Sequence, residues 1–268
     1  MPTIQINGQS IYFEEYGNGE PLVLIAGLGA SCNMWWKQIE PLSDKFRVVI
    51  FDNRGSGNSS RVKEAFGIKE MAMDLASLIR SLEIAPCHLL GISMGGFIAL
   101  TLAKTNPELI NKLILMSTSA GGANHVPPKP ELMDQITQPG QMDRETYYRT
   151  IYPQLAAPGY MQNHPEDLDR IVKNFLGKPI SPETYLYQLN AVNEFTSAEN
   201  TDAHPEHLNI KTLVLHGDSD DLVPLANGKH LAHQIKGAKL ISYKHVGHLV
   251  HIEAADQINQ DIIEFLQR

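Results

Sequence analysis

The sequence predicts an α/β fold: one mostly parallel, eight-stranded sheet with helices on both faces and a mostly helical segment inserted after the sixth strand. Three observations carry this reading. Short apolar runs alternate with stretches of helical periodicity between residues 22 and 116, the same alternation resumes at 212, and the chain from 119 to 208 lacks it.

The opening IQINGQSIYFEEYG alternates apolar and polar residues on either side of Asn7-Gly8. That pair suits a type I′ hairpin turn with positive φ, so two antiparallel strands come first. Leu22 to Ala26 is a continuous apolar run, as in a strand buried on both faces, and it ends in Gly27-Leu28-Gly29. A loop and helix follow through Trp35 and Leu42. The run RVVIFD (47 to 52) is the next buried strand, and Ile68, Met71, Leu75, Leu78, Ile79 and Leu82 then recur on one helical face. His88 to Ile92 is a strand leading into an apolar helix from about Gly95 to Lys104, followed by a strand from Lys112 to Met116. Such βαβαβ alternation implies parallel strands with right-handed crossovers.

From 119 to 208 the chain is rich in Pro, Met, Tyr, Asn and His, with short amphipathic stretches such as 166 to 176. This segment reads as a helical cap, leaving 1 to 118 and 209 to 268 as one core. The core resumes with a strand at 212 to 216, a helix near Leu225 to Ile235, a strand at Lys239 to Tyr243 and a last helix carrying Ile258, Ile262, Phe265 and Leu266. A chain of 268 residues is long for a single domain, but α/β folds carry that length on one core.

Apolar residues form 43% of the chain, enough to bury a sizeable core, so disorder is not expected. A formal charge of −8 repels phosphate backbones and anionic surfaces, which excludes nucleic acid and membrane as expected partners. The opening residues have no basic region ahead of an apolar run, and no stretch of about 18 apolar residues occurs, so a soluble, untargeted protein is expected. Cys32 and Cys87 fall at opposite ends of neighbouring strands, beyond disulfide reach. Two free thiols fit a cytoplasmic location.

Gly91-Ile92-Ser93-Met94-Gly95 fits Gly-x-Ser-x-Gly. Alone the string is weak, since composition gives it by chance in about one such chain in ten. Its context is stronger: a strand runs directly into it and an apolar helix directly out, which is where a nucleophile elbow lies. The turn is so tight that side chains two positions either side of the serine would strike backbone, hence glycine at 91 and 95.

A serine hydroxyl needs a neighbouring base. Of eleven histidines, His248 is best placed, in the loop between the last strand and the last helix and at the same sheet edge as Ser93. His245, His248 and His251 are spaced by three, but Gly247 interrupts the helical face and no carboxylate or cysteine set completes a metal site, so no metal is expected. His204, His207 and His216 read as surface or packing residues. The base in turn needs an anion to hold its tautomer. His216-Gly217-Asp218-Ser219-Asp220-Asp221 offers three, of which Asp220 has the reach, while Asp218 and Asp221 suit capping of the turn and the following helix.

These motifs, in the order serine, aspartate, histidine, resemble the α/β-hydrolase superfamily and in particular its esterase and enol-lactonase-like branch. Asp52-Asn53-Arg54-Gly55-Ser56-Gly57-Asn58-Ser59 also resembles that branch's D-x-R-G-x-G-x-S loop, where Asp52 is expected to tie the turn and Arg54 to pair with acidic or carbonyl groups. The resemblance implies a serine esterase or lactonase acting on a small ester-type molecule through an acyl-serine intermediate without a cofactor. A C–C bond hydrolase, perhydrolase, lyase or non-catalytic receptor on the same fold are the alternatives. It also implies that the backbone N–H groups of Leu28 and Met94 form the oxyanion hole. Gly27-Leu28-Gly29 does not open a dinucleotide fingerprint, because the third glycine position holds Cys32. Val223 and Leu249, each close to a triad member, are expected to border the pocket, with Met133, Tyr147, Tyr148, Phe175 and Phe195 over it. Trp35 is expected to anchor its helix.

Overall fold

The computed structural model describes residues 2–137, 142–200 and 205–268. The hairpin strands are β1 (Thr3–Ile6) and β2 (Gln9–Tyr16), joined through Asn7 and Gly8 with φ of 48° and 77°. Then come β3 (Pro21–Ile25), β4 (Arg47–Phe51), β5 (Cys87–Ile92), β6 (Ile110–Met116), β7 (Lys211–Gly217) and β8 (Lys239–Tyr243). The sheet order is β1-β2-β4-β3-β5-β6-β7-β8, with β2 antiparallel to β4 and the strands from β3 to β8 parallel.

The apolar runs are continuous because alternate residues enter different layers. Val23, Val49, Leu89, Leu113 and Val214 face one layer with α2 (Ile68–Ser81), α3 (Met94–Thr105) and α9 (Leu225–Gln234). Leu22, Leu24, Val48, Leu90, Ile114 and Leu215 face the other, with α1 (Ile39–Ser43) and α11 (Ala255–Gln267), which follows a single turn, α10 (Val250–Glu253). The helix expected through Trp35 and Leu42 is broken into a 3-10 turn at Cys32–Trp35 and the short α1. Pro41 explains the break, since it has no N–H for a longer helix and its ring clashes one turn back.

Between β6 and β7 lie α4 (Pro130–Thr137), α5 (Arg144–Leu155), α6 (Tyr160–Asn163), α7 (Pro165–Gly177) and α8 (Pro182–Thr196). Pro at the first position of α7 and α8 suits a helix start, and Ser181 caps α8 by accepting the Thr184 N–H at 3.2 Å. Among the described residues no helix is long and apolar enough to cross a membrane. Cys32 and Cys87 are buried and unbridged, and burial raises both thiols, Cys87 to about 12.

Candidate active site

In open α/β sheets ligands bind beyond the carboxyl ends of the strands. The loops leaving β3, β5, β7 and β8 at that rim carry the residues singled out above. β5 ends at Ile92 and α3 begins at Met94, so Ser93 alone makes the turn. Its φ of 53° and ψ of −123° cost about 1–3 kcal/mol and must be held by the surroundings. The Ser93 N–H donates to the Met116 carbonyl at 2.9 Å, and the Ser93 carbonyl accepts from the Gly96 N–H and the Thr118 hydroxyl, both at 2.8 Å. A Cβ on Gly91 would lie 2.3 Å from the Gly95 oxygen, and one on Gly95 would lie 2.2 Å from the Ile25 oxygen. Both obstacles are backbone. Gly95→Ala is therefore expected to destabilise by at least about 3 kcal/mol, a fall of about 6–12 °C in Tm on thermal denaturation; a Tm within a degree of wild type would show that the elbow has slack.

The loops after β7 and β8, which carry Asp220 and His248, are tied to each other by hydrogen bonds of their own. The Asp218 N–H donates to the Tyr243 carbonyl and the Ser219 N–H to the Val246 carbonyl, both at 2.9 Å, while Asp218 Oδ1 accepts the His245 N–H at 2.7 Å. Asp220 is buried; its Oδ1 accepts the N–H groups of Leu222 at 3.0 Å and Val223 at 2.8 Å. Its Oδ2 accepts from His248 Nδ1 at 2.9 Å. A carboxylate only accepts, so the shared proton sits on Nδ1 and leaves Nε2 with its lone pair. Asp221, by contrast, is exposed and pairs with Lys129 at 2.7 Å.

His248 and Ser93 line one cavity, and no Ser93–His248 hydrogen bond joins them; such contacts are often loose before substrate binds. Two neighbours of the pair had no signal in the sequence. Glu253 gathers the N–H groups of Gly247, Ala157 and Leu249 at 3.0, 2.8 and 3.1 Å, fixing the loop on either side of His248. His216, read above as a surface or packing residue, is fully buried beneath the acid, 3.6 Å from Asp220 Oδ2, and donates to the Val223 carbonyl at 2.7 Å. Burial lowers its pKa, keeping it neutral. His204 lies outside the described residues.

Leu28 sits in the loop after β3, where the Ala30 N–H closes back onto the Gly27 carbonyl at 3.3 Å. Gly27 lies against the serine, since a Cβ there would be 4.0 Å from Ser93 Oγ. Met94 is the first residue of α3, where an N–H has no partner within the helix. The 52–59 loop supports this edge: Asp52 accepts the N–H groups of Cys32 and Asn58, both at 2.7 Å, and Asn53 Nδ2 donates to the Ala26 carbonyl at 3.2 Å. Arg54 forms a bidentate pair with Asp74 at 2.6 and 2.7 Å.

The cavity, of about 420 Å³, is lined by Leu28, Ser93, His248 and Leu249 from the core and by Tyr147, Tyr148, Tyr152, Phe175 and Tyr185 from the inserted helices. Its size suits a small organic molecule. Val223 does not line it and so corrects one expectation: its N–H and carbonyl are both spent on holding Asp220 and His216, and Leu222 faces the cavity instead. Of the inserted residues, Met133 and Phe195 also stay outside, Phe195 because it stacks on Phe97 with ring centroids 4.4 Å apart. Trp35 is fully buried and meets His251 edge-on at 5.5 Å, whereas its neighbour Trp36 lines the cavity.

His251 also lines the cavity, and burial, with His248 and Lys37 nearby, pushes its pKa from 6.5 down to about 3. The unfolded chain therefore binds a proton there that the folded one refuses. The stabilising share of this residue is whole above pH 6.5 and drains as pH falls toward 3. Thermal denaturation should show His251→Gln gaining on wild type as pH drops from 6.5 to about 4; a gap constant with pH would mean that the imidazole is not held neutral.

Comparison with known proteins identifies the fold. The family model described as alpha/beta hydrolase fold matches residues 20–255. The chain is 29% identical over 96% of its length to a 2-hydroxy-6-oxononadienedioate/2-hydroxy-6-oxononatrienedioate hydrolase from Escherichia coli, 91% of which is covered. Among solved structures it is similar to the enol-lactonase from Burkholderia xenovorans LB400, with a TM-score of 0.82 and 26% identity over 100% of both chains. It is likewise similar to a thermophilic esterase from Thermogutta terrifontis, with a TM-score of 0.81 and 27% identity over 99% of this chain and 97% of the other. Sheet order, elbow and family match together place this chain in the alpha/beta hydrolase fold family.

Proposed function

We propose that this hydrolase cleaves a small carboxylic ester or lactone through an acyl-serine intermediate, with residues 119–208 acting as a cap over the site. The observation that carries the reading is the 2.9 Å contact between His248 Nδ1 and buried Asp220, on a loop whose imidazole shares a cavity with the strained Ser93. Ser93 Oγ attacks the carbonyl carbon as its proton passes to His248 Nε2. The carbonyl oxygen becomes an oxyanion and takes hydrogen bonds from the Leu28 and Met94 N–H groups, each worth roughly 10² to 10³ in rate. Collapse expels the alcohol, which carries away the proton held by His248. Water then attacks the acyl-serine by the same route, releasing the acid and restoring Ser93.

The lining favours an apolar or aromatic substrate body. Arg144 and Lys178 line the cavity and no described Asp or Glu does, which suits a neutral or anionic ester better than a cationic one. A second reading keeps the residues and changes the scissile bond to carbon–carbon beside a ketone. It is supported by the likeness to the E. coli hydrolase, and product analysis separates the two. The deciding experiment is labelling with a serine-directed fluorophosphonate followed by peptide mass mapping, run beside a panel of aryl esters and lactones. An adduct on Ser93 together with turnover of the panel supports the reading. Labelling without turnover of any acyl substrate points to a receptor, and no adduct at Ser93 ends the proposal.

A further inference from the structure

One side chain of the cap reaches down to the loop that carries Leu28. Gln188, on α8, is wholly buried. Its Oε1 accepts the Gly29 N–H at 2.9 Å, and its Nε2 donates to Ser56 Oγ at 3.0 Å. The Gly29 N–H can only donate, so it dictates which end of the amide faces the loop. Both ends of the amide are thus committed, one to the loop after β3 and one to the 52–59 loop. Neither contact is local, for Gln188 stands 159 residues from Gly29 and 132 from Ser56 in the chain.

Gly27 to Ala30 forms a turn closed by the 3.3 Å bond between its ends, with Gly29 at φ 70°. The soft motion of such a turn is a flip of its middle peptide, here the one joining Leu28 to Gly29, which interconverts turn types with little change outside. Gln188 holds the N–H of that peptide. Asn53 holds the other side, through the Ala26 carbonyl at 3.2 Å. The Leu28 N–H lies between these two clamps. Tyr185, one turn earlier on α8, closes over the same spot: a Cβ on Gly29 would lie 3.3 Å from its ring. A buried amide is costly unless every polar atom is satisfied, so packing alone would be served better by a methionine or leucine here.

We propose that Gln188 is a positioning residue for the oxyanion hole, fixing the turn that aims the Leu28 N–H at the oxygen of the transition state. The cap then contributes to the chemical step as well as enclosing the cavity. This rests on the acyl-serine reading above. A donor displaced by a fraction of an ångström loses rate and leaves ground-state binding alone, because its bond strengthens only as charge develops.

The test is steady-state kinetics of the full chain on the best aryl ester, comparing Gln188→Met, which keeps the volume and loses both bonds, with Gln188→Glu, which still offers Gly29 an acceptor and Ser56 Oγ a partner for its own proton. Gln188→Met should lower kcat about ten- to a hundred-fold with KM within about two-fold of wild type, and Gln188→Glu should recover most of that loss. Wild-type kcat in the methionine variant overturns the proposal, as does an equal loss in both variants, which would mark a packing defect. If the methionine variant does not fold, Ser56→Ala removes only the second anchor: a lower kcat at constant KM supports the proposal and an unchanged kcat overturns it. A wild-type enzyme that turns over no ester is a different outcome, since it removes the acyl-serine reading and this inference with it.

Discussion

Replacing Ser93 by alanine is expected to lower kcat on an ester by a factor of about 10⁴ or more while leaving the protein folded. Both halves follow from the elbow. What holds residue 93 at φ 53° is backbone: its N–H on Met116, its carbonyl under Gly96 and Thr118, and the absence of side chains at 91 and 95. Alanine keeps the Cβ and all of these contacts, so Tm should move by no more than a degree or two. The hydroxyl lost is the one proposed to form the acyl bond. Residual turnover above water would come from the Leu28 and Met94 donors and from binding, which do not need Oγ. Rapid-mixing kinetics add a second readout, because the burst of alcohol release preceding steady state requires the acyl-serine and should vanish in the variant. A variant that kept wild-type turnover would show that another group attacks.

The core was legible in the sequence because it repeats one physical problem. Each parallel strand is covered on both faces, so each reads as an apolar run, and each crossover helix shows a single apolar face. The proposed nucleophile was legible because backbone constraint leaves a residue signature. Gly91 and Gly95 bracket Ser93 since the neighbouring carbonyls lie little more than 2 Å from where their Cβ atoms would be. What stayed hidden depends on contacts between distant segments with no periodicity or spacing of their own. Gln188 sits in an ordinary helix, and nothing near it in the chain announces Gly29. Glu253 looks like any surface-helix acid until the fold brings the N–H groups of Gly247, Leu249 and Ala157 around it. Val223 was misplaced for a related reason. Nearness in sequence to Asp220 puts it beside the site, but in the fold its backbone is consumed in holding Asp220, leaving Leu222 toward the cavity.

The second large effect is expected at Asp220, and the hydrogen bonds around it determine its form. In Asp220→Asn the side-chain oxygen must stay where Oδ1 is now, since the N–H groups of Leu222 and Val223 point there at 3.0 and 2.8 Å and an amide NH₂ in that place would face two donors. The NH₂ is then forced into the Oδ2 position, 2.9 Å from His248 Nδ1. There it can only donate, so Nδ1 must turn acceptor and the ring proton moves to Nε2. That is the wrong tautomer to take a proton from Ser93, and kcat should fall by about 10⁴ although every heavy atom keeps its place. His216 offers no rescue, because its own donor is committed to the Val223 carbonyl at 2.7 Å. Since the block lies in the tautomer, raising the hydroxide concentration should restore part of the activity, because hydroxide can take the serine proton in place of the imidazole. The neighbouring change Asp221→Asn is the control: it removes an equal charge, but from an exposed pair with Lys129, so kcat should stay within about two-fold of wild type. Equal losses in the two variants would mean that net charge at the rim, and not the orientation of His248 by one buried carboxylate, governs the rate.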